Sequence, residues 1–171
     1  MRDKRRHLIC AMLAAPCVLV APFAARSARA AAGPPTTGSK LPLVDLPLID
    51  GGTFKAAEAD GRVVVVYWWA SWCPFCAEMS PHVEALWRAQ RERGLIVLGI
   101  SIDRTAEAPR AYRQRRGYTF PSALYDPKIE HVLPKPKTVP TTWVRDRNGR
   151  VAWAATGQLF PEDVAEIARF L

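Results

Sequence analysis

Hydrophobic positions fall into runs and periods that mark out most of the elements of the chain. Leu46 to Ile49 and Thr53-Phe54 flank Asp50-Gly51-Gly52, which predicts a short hairpin. Val63 to Trp69 is a continuous β-branched and aromatic run with no polar alternation. That pattern predicts a central strand buried on both faces. After Cys73 the period shifts to threes and fours. Cys76, Met79, Val83, Leu86 and Trp87 share one helix face, and the helix stops before Gly94. Leu95 to Ile102 reads as a second buried strand, and Thr105 to Arg116 as a helix closed by Gly117. A polar, Pro-rich loop is expected from Phe120 to Pro140. Thr141 to Arg145 and Arg150 to Ala155 form a hairpin across Asp146-Arg147-Asn148-Gly149. A last amphipathic helix, Pro161 to Leu171, carries Val164, Ile167, Ala168 and Leu171 on one face. Parallel strands joined by helical crossovers imply an α/β sheet covered on both faces.

The first thirty residues follow a different pattern. Arg2, Lys4, Arg5 and Arg6 precede an apolar run from Leu8 to Ala25, and Ala28-Arg29-Ala30 supplies a small-residue cleavage site. Basic, apolar and small segments in that order read as a secretory signal over residues 1–30. An uncleaved membrane anchor is the competing reading, since the run reaches the short end of the roughly 17–25 residues that span a bilayer. Pro16 and Pro22 count against a long helix there. Residues 31–40 have a linker composition, which leaves 41–171 as one domain.

Composition means something different once that segment is set aside. The whole chain carries +8, but residues 31–171 hold 18 basic against 15 acidic residues, a net +3. The basic balance belongs largely to the targeting segment and gives no argument for nucleic-acid binding. Of four cysteines, Cys10 and Cys17 lie in the signal, so the exported chain keeps Cys73 and Cys76. A bridge between cysteines three apart closes too small a loop to stabilise much. In an exported protein, where cysteines usually serve structural bridges, this pair is therefore read as chemical.

The run Trp72-Cys73-Pro74-Phe75-Cys76 stands where a buried strand turns into a helix. Unpaired N–H groups and the helix dipole favour negative charge there, and the thiolate is the nucleophile of disulfide exchange. Pro74 fits the first helical turn because it needs no N–H partner. Phe75 offers an apolar surface beside the sulfur, and Trp72 an exposed shield. Cys76, one turn inward, is placed to resolve a mixed disulfide. A half zinc site is the alternative use of C-x-x-C, with His82 and His131 as further ligands, but neither has a familiar spacing. His82 reads as a solvent-side helix residue, and Arg113, Arg115 and Arg116 as a solvated helix face. Lys135 and Lys137 lie in the loop before Pro140, where they could steer a partner.

With Val66-Tyr-Trp-Trp-Ala-Ser-Trp-Cys-Pro-Phe-Cys76, Pro81, Gly99-Ile-Ser-Ile-Asp103 and Thr138-Val-Pro-Thr-Thr-Trp143, the chain resembles the thioredoxin superfamily. In particular it is similar to the TlpA/ResA branch, from about Leu41 onward. The resemblance implies a thioredoxin-like fold: a central mixed sheet flanked by helices, with an N-terminal β-hairpin and a central βα insertion. It also implies a cis Val139–Pro140 bond beside the dithiol, a kink at Pro81 and a protein-disulfide oxidoreductase, with the reductase direction favoured. Two positions depart from the pattern. Tyr67 stands where thioredoxins keep a buried acid, and Met79 where the branch often has a glutamate. Glu78 is one residue off and should point about 100° away. Glu78, Tyr67 or water are then the candidates to take the proton of Cys76.

No nicotinamide or flavin fingerprint is present, so no cofactor or metal is expected, and electrons would come from a membrane donor protein. Expected substrates are disulfides of exported proteins in the periplasm, with apocytochrome c or copper-site proteins as candidates through cytochrome c biogenesis. Two other functions compete with this one. Cys73, Cys76 and His131 could form a copper- or haem-delivery module, since thiolates suit Cu(I). A thiol peroxidase would want Thr or Ser three residues before the cysteine, where this chain has Ala70.

Overall fold

The computed structural model describes residues 35–171, so the signal expectation and the first four residues of the expected linker lie outside the described residues. A two-stranded antiparallel hairpin comes first, β1 (Leu46–Pro47) with β2 (Thr53–Phe54). The main sheet has five strands: β3 (Val64–Trp69), β4 (Ile96–Ser101), β5 (Ser122–Leu124), β6 (Thr141–Arg145) and β7 (Val151–Thr156). Their spatial order is β5-β4-β3-β6-β7. β3, β4 and β5 run parallel, whereas β6 and β7 run antiparallel to their neighbours. Helix α1 (Pro74–Gln90) links β3 to β4, α2 (Glu107–Arg116) links β4 to β5, and α3 (Pro161–Glu166) closes the chain, continued by a 3-10 turn at Ile167–Phe170.

All six residues of β3 are buried, as the unbroken apolar run requires of a strand covered on both sides. Val65, Tyr67 and Trp69 face a cluster formed with Met79, Val83 and Leu86 of α1, Val164 and Ile167 at the C-terminus, and Tyr112 of α2. Val64, Val66 and Trp68 face the opposite cluster. There the cover comes from Leu41, Leu46, Phe54 and Ala59 of the N-terminal segment and from Leu133, Ile129 and Tyr125 before Pro140. The second face is thus closed by a hairpin and turns. Gly99 in β4 is required by close approach, because a Cβ there would lie 2.8 Å from both Phe120 Cε2 and Ser122 Oγ.

Two sequence expectations need correction. The stretch from Phe120 to Pro140, expected as loop, contains β5, whose Gly99↔Ser122 to Ser101↔Leu124 register extends the sheet at its edge. Three residues beginning with a serine and preceded by Pro121 are too short to show a period. Arg113 is not on a solvated face. It is 2 % exposed, its guanidinium pairs with Asp50 at 2.9 Å, donates to Phe120 O at 2.6 Å and stacks over the Phe120 ring. Arg115 and Arg116 are exposed as expected.

The chain is already docked at Gly38. The Gly38 N–H donates to Val151 O at 2.8 Å, the Val151 N–H donates to Ser39 O at 2.9 Å, and Lys40 bridges to Arg150. These contacts lie beside the turn between β6 and β7. Because β6 runs antiparallel to β3, with Arg145 opposite Val64 and Thr141 opposite Trp68, that turn sits at the start of β3.

Candidate active site

The end of β3 delivers Cys73 to the mouth of α1. Ala70 O accepts a bond from Cys73 N–H at 3.3 Å, which closes the turn Ala70-Ser71-Trp72-Cys73. Cys73 is the N-cap residue of α1, and Pro74 occupies the first turn, where its missing N–H costs nothing. The Cys76 N–H, one of the unpaired amides of that turn, donates to Cys73 Sγ at 3.3 Å. The Cys73 thiol in turn donates to Val139 O at 3.6 Å. The Val139–Pro140 peptide bond is cis, Pro140 is buried, and its carbonyl accepts from Gly157 N–H at 2.9 Å. One sulfur is therefore held between a helix start on one side and the Val139 backbone on the other.

Both cysteines are reduced thiols, Cys73 4 % and Cys76 1 % exposed. Trp72 and Phe75 flank Cys73 and are well exposed. Burial pushes the Cys76 thiol well above its ordinary range, and its hydrogen bond with Cys73 raises it further. The neighbouring Ala70 backbone and Tyr67 hydroxyl act against that rise. Tyr67 is fully buried on β3. Its hydroxyl lies 3.0 Å from Ser80 Oγ and 3.4 Å from Cys76 O. Burial, then the neighbouring Cys76, drives the phenol well above its ordinary range.

The other expected site residues separate. Glu78 points outward and accepts from Gln158 Nε2 at 2.8 Å, so it belongs to the surface between α1 and the loop after β7. Met79 is core. His82 is half-buried on the outer side of α1, near Pro161 and Ala165, and His131 is exposed beyond β5. Pro81 lies inside α1, where it leaves the Ala77 carbonyl without its helical donor. Lys135 and Lys137 border a groove of about 480 Å³ with Pro134, Thr138, Thr141 and Trp143, immediately beside Val139.

Two residues of the site, Asp103 and Ser80, are given no role by the sequence alone. Asp103 is 8 % exposed. Its carboxylate accepts from Ser71 N–H at 3.0 Å, from Ser71 Oγ at 2.7 Å and from Ser101 Oγ at 2.6 Å. It thereby clamps the turn that carries Trp72 and Cys73. Ser80 donates to Cys76 O at 2.7 Å as well as meeting Tyr67. The motif ending at Asp103 and the polar Ser80 on an apolar helix face were the available hints; the partners are too far along the chain to infer.

A model of the AhpC/TSA family matches residues 37–154. The chain belongs to the AhpC/TSA family. Among its relatives is the thiol-disulfide oxidoreductase ResA of Geobacillus kaustophilus (strain HTA426), 26% identical over 129 residues, which covers 74% of this chain and 73% of that one. The ResA of Geobacillus thermodenitrificans (strain NG80-2) is 25% identical over 131 residues, covering 75% and 74%. In structure this AhpC/TSA member is similar to a thiol:disulfide interchange protein of the thioredoxin family from Chlorobium tepidum TLS. The TM-score is 0.70 at 23% identity, over 81% of this chain and 97% of that one. StoA from Bacillus subtilis gives a TM-score of 0.64 at 19% identity, over 76% and 99%. These two likenesses show the thioredoxin-like fold that the sequence implied.

Proposed function

We propose that this AhpC/TSA-family chain is a thiol–disulfide oxidoreductase that reduces disulfides of exported proteins. The observation that carries the reading is the placement of Cys73 Sγ, capped by the Cys76 N–H and turned toward Val139 O. The Cys73 thiolate attacks a substrate disulfide, forming the Cys73–substrate bond as the substrate S–S bond breaks. Cys76 then attacks Cys73 Sγ and the substrate leaves as a thiol. Two electrons pass from the pair to the substrate, and a membrane donor protein returns them. Trp72 and Phe75 offer apolar contact around the sulfur, and the groove beside Thr138 continues that surface for an extended segment of substrate. Export by residues 1–30 places this work in the periplasm, with cytochrome c or copper-site assembly as the process served.

The test is insulin-disulfide reduction driven by dithiothreitol. The wild-type chain accelerates it, Cys73→Ser loses the acceleration, and Cys76→Ser accumulates a protein–substrate mixed disulfide. Activity retained in Cys73→Ser overturns the reading. Equilibration with glutathione fixes the direction: a potential near about −270 mV supports the reductase, one near about −120 mV reverses it. The peroxidase alternative gains nothing here, since Ala70 supplies only backbone atoms at the position where a hydroxyl is needed. Copper delivery lacks a third ligand: among the described residues no group of three His, Cys, Asp or Glu converges on a common point.

A further inference from the structure

The sheet carries a second surface at the same end as the thiol. Thr141 pairs opposite Trp68 and Trp143 opposite Val66, so both face away from α1, on the side closed by turns. With Pro134, Pro136 and Thr138 they line the groove of about 480 Å³. Trp143 is its floor, buried and held by edge contact with Trp68 at 5.3 Å. The Thr141 hydroxyl donates to Thr138 O at 2.8 Å, which pins the wall just before Val139. Val139 packs against both core clusters, so it is the rim between the groove and Cys73, whose thiol donates to its carbonyl at 3.6 Å.

Two ammonium groups border this apolar lining. Lys135 and Lys137 are exposed, alternate with Pro134 and Pro136, and form no ion pair among the described residues. Lys135 Nζ lies 5.7 Å from the centre of the Tyr125 ring, an attraction that keeps its head on this side. Glu130 is the one acid of the lining, so the groove keeps a net positive charge. A polypeptide bound through its cysteine at Cys73 crosses Val139 to enter the groove. At about 3.3 Å per extended residue, its second residue from the cysteine comes level with Lys137, two positions before Val139. One side chain there meets a positive rim, and its neighbour meets the indole and the proline rings.

We propose that this groove selects substrate segments in which an aspartate or glutamate, next to an apolar residue, lies two or three positions from the cysteine to be reduced. The proposal rests on the Cys73–Cys76 cycle and deepens it by naming the substrate class. Opposite charge guides the encounter and fixes the register, and the apolar floor supplies contact once the segment is seated. A lysine or arginine at the same position meets like charge, so cysteines in basic segments are poor substrates. The bond chemistry is unaltered. The Cys73 thiolate forms a disulfide with the substrate sulfur as the substrate S–S bond breaks. The electron pair leaves with the departing thiolate, and Cys76 then resolves the mixed disulfide.

Peptides whose single cysteine is activated as the 2-pyridyl disulfide separate this recognition from thiol reactivity. Three of them carry Glu and Leu, Gln and Leu, or Lys and Leu at the second and third positions on each side of the cysteine. Release of pyridine-2-thione by the reduced protein reads the attack. Wild type should take the Glu peptide about tenfold faster than the Lys peptide at low ionic strength, with Gln between them, and about 1 M salt should erase the gap. Replacing Leu by Ser in the Glu peptide should slow it about threefold. Lys135→Glu with Lys137→Glu should reverse the order. Lys137→Gln alone should cut the ratio about threefold, and it carries the test if the double variant does not fold. Arg147→Gln, exposed in the far turn between β6 and β7, should keep the wild-type ratio. A Glu-to-Lys ratio within twofold in wild type, an unchanged ratio in the lysine variants, or the same collapse in Arg147→Gln overturns the proposal. So does sedimentation of the wild type as a dimer that Lys137→Glu dissociates, which assigns the groove to a second copy. No thione from the neutral reagent 2,2′-dithiodipyridine would instead mark failure of the Cys73–Cys76 cycle itself, a separate result.

Discussion

Asp103 takes three hydrogen bonds within a pocket that leaves it almost no water, and two of them come from Ser71. Without the carboxylate, the Ser71 N–H loses its partner and the turn before Cys73 is released from β4. Asp103→Ala should therefore lower stability by about 1.5–3 kcal/mol, as for bonds to a charged group, and slow insulin-disulfide reduction. Asp103→Asn keeps one acceptor oxygen and should recover part of both. Urea unfolding of the three proteins, alongside the insulin-reduction assay, measures this. In the sequence, Asp103 was visible as the end of a motif but had no role, because its partner lies 32 positions earlier. Cys73 and Cys76 were legible for the opposite reason: their spacing, and the change from strand run to helix period around them, is local information.

Helix α1 is held along its length by chemistry that the periodicity does not encode. At its middle, Glu84 accepts from Thr119 N–H at 2.8 Å, Thr119 Oγ1 at 2.6 Å and Phe120 N–H at 3.1 Å, and pairs with Arg88. The helix is thus tied to the loop that leads into β5. Burial pushes the Glu84 carboxyl up, but the bonds from Thr119, Arg88 and Phe120 together outweigh it and hold it below its ordinary range. A depressed folded-state value means that the stability contributed is present above the unfolded value of about 4.3 and is lost as pH falls through the folded one. Glu84→Gln should cost about 1–3 kcal/mol at pH 7, with the gap to wild type closing toward pH 3. Thermal melts across that range check it. Elements with long buried runs, β3 and β4, were legible within a residue or two. The strand β5 and the inward Arg113 were not, because each depends on a partner brought in by the fold: Gly99 to Ser101 for one, Asp50 and Phe120 for the other.

Across the whole molecule, the reduced pair makes stability depend on pH on the alkaline side. The Cys76 thiol is raised in the folded state by burial and by Cys73, so the folded chain keeps a proton that the unfolded chain releases near pH 8.5. The stabilising contribution is complete below that value and is lost as pH rises, with a slope approaching about 1.4 kcal/mol per pH unit. Tyr67 shifts in the same direction but acts only above its unfolded value of about 10. Between pH 8.5 and 10, urea midpoints of the reduced protein should fall. Those of Cys76→Ser should fall less, and the disulfide form should lack the cysteine slope. The parallel crossovers and the two-sided cover followed from the alternation of apolar runs and helical periods, whereas the strand order is read from the structure alone. The cover of the second face by turns did not, since the residues 125–133 that supply it show no period.

The docking of residues 38–40 beside the β6–β7 turn fixes a direction in space. That turn lies at the opposite pole of the sheet from Cys73, separated from it by the length of β3, about 20 Å for six residues. A tether attached on the N-terminal side would leave the molecule from its rear. Whatever such a tether was fastened to, the sulfur would face outward, toward partners arriving from the open side.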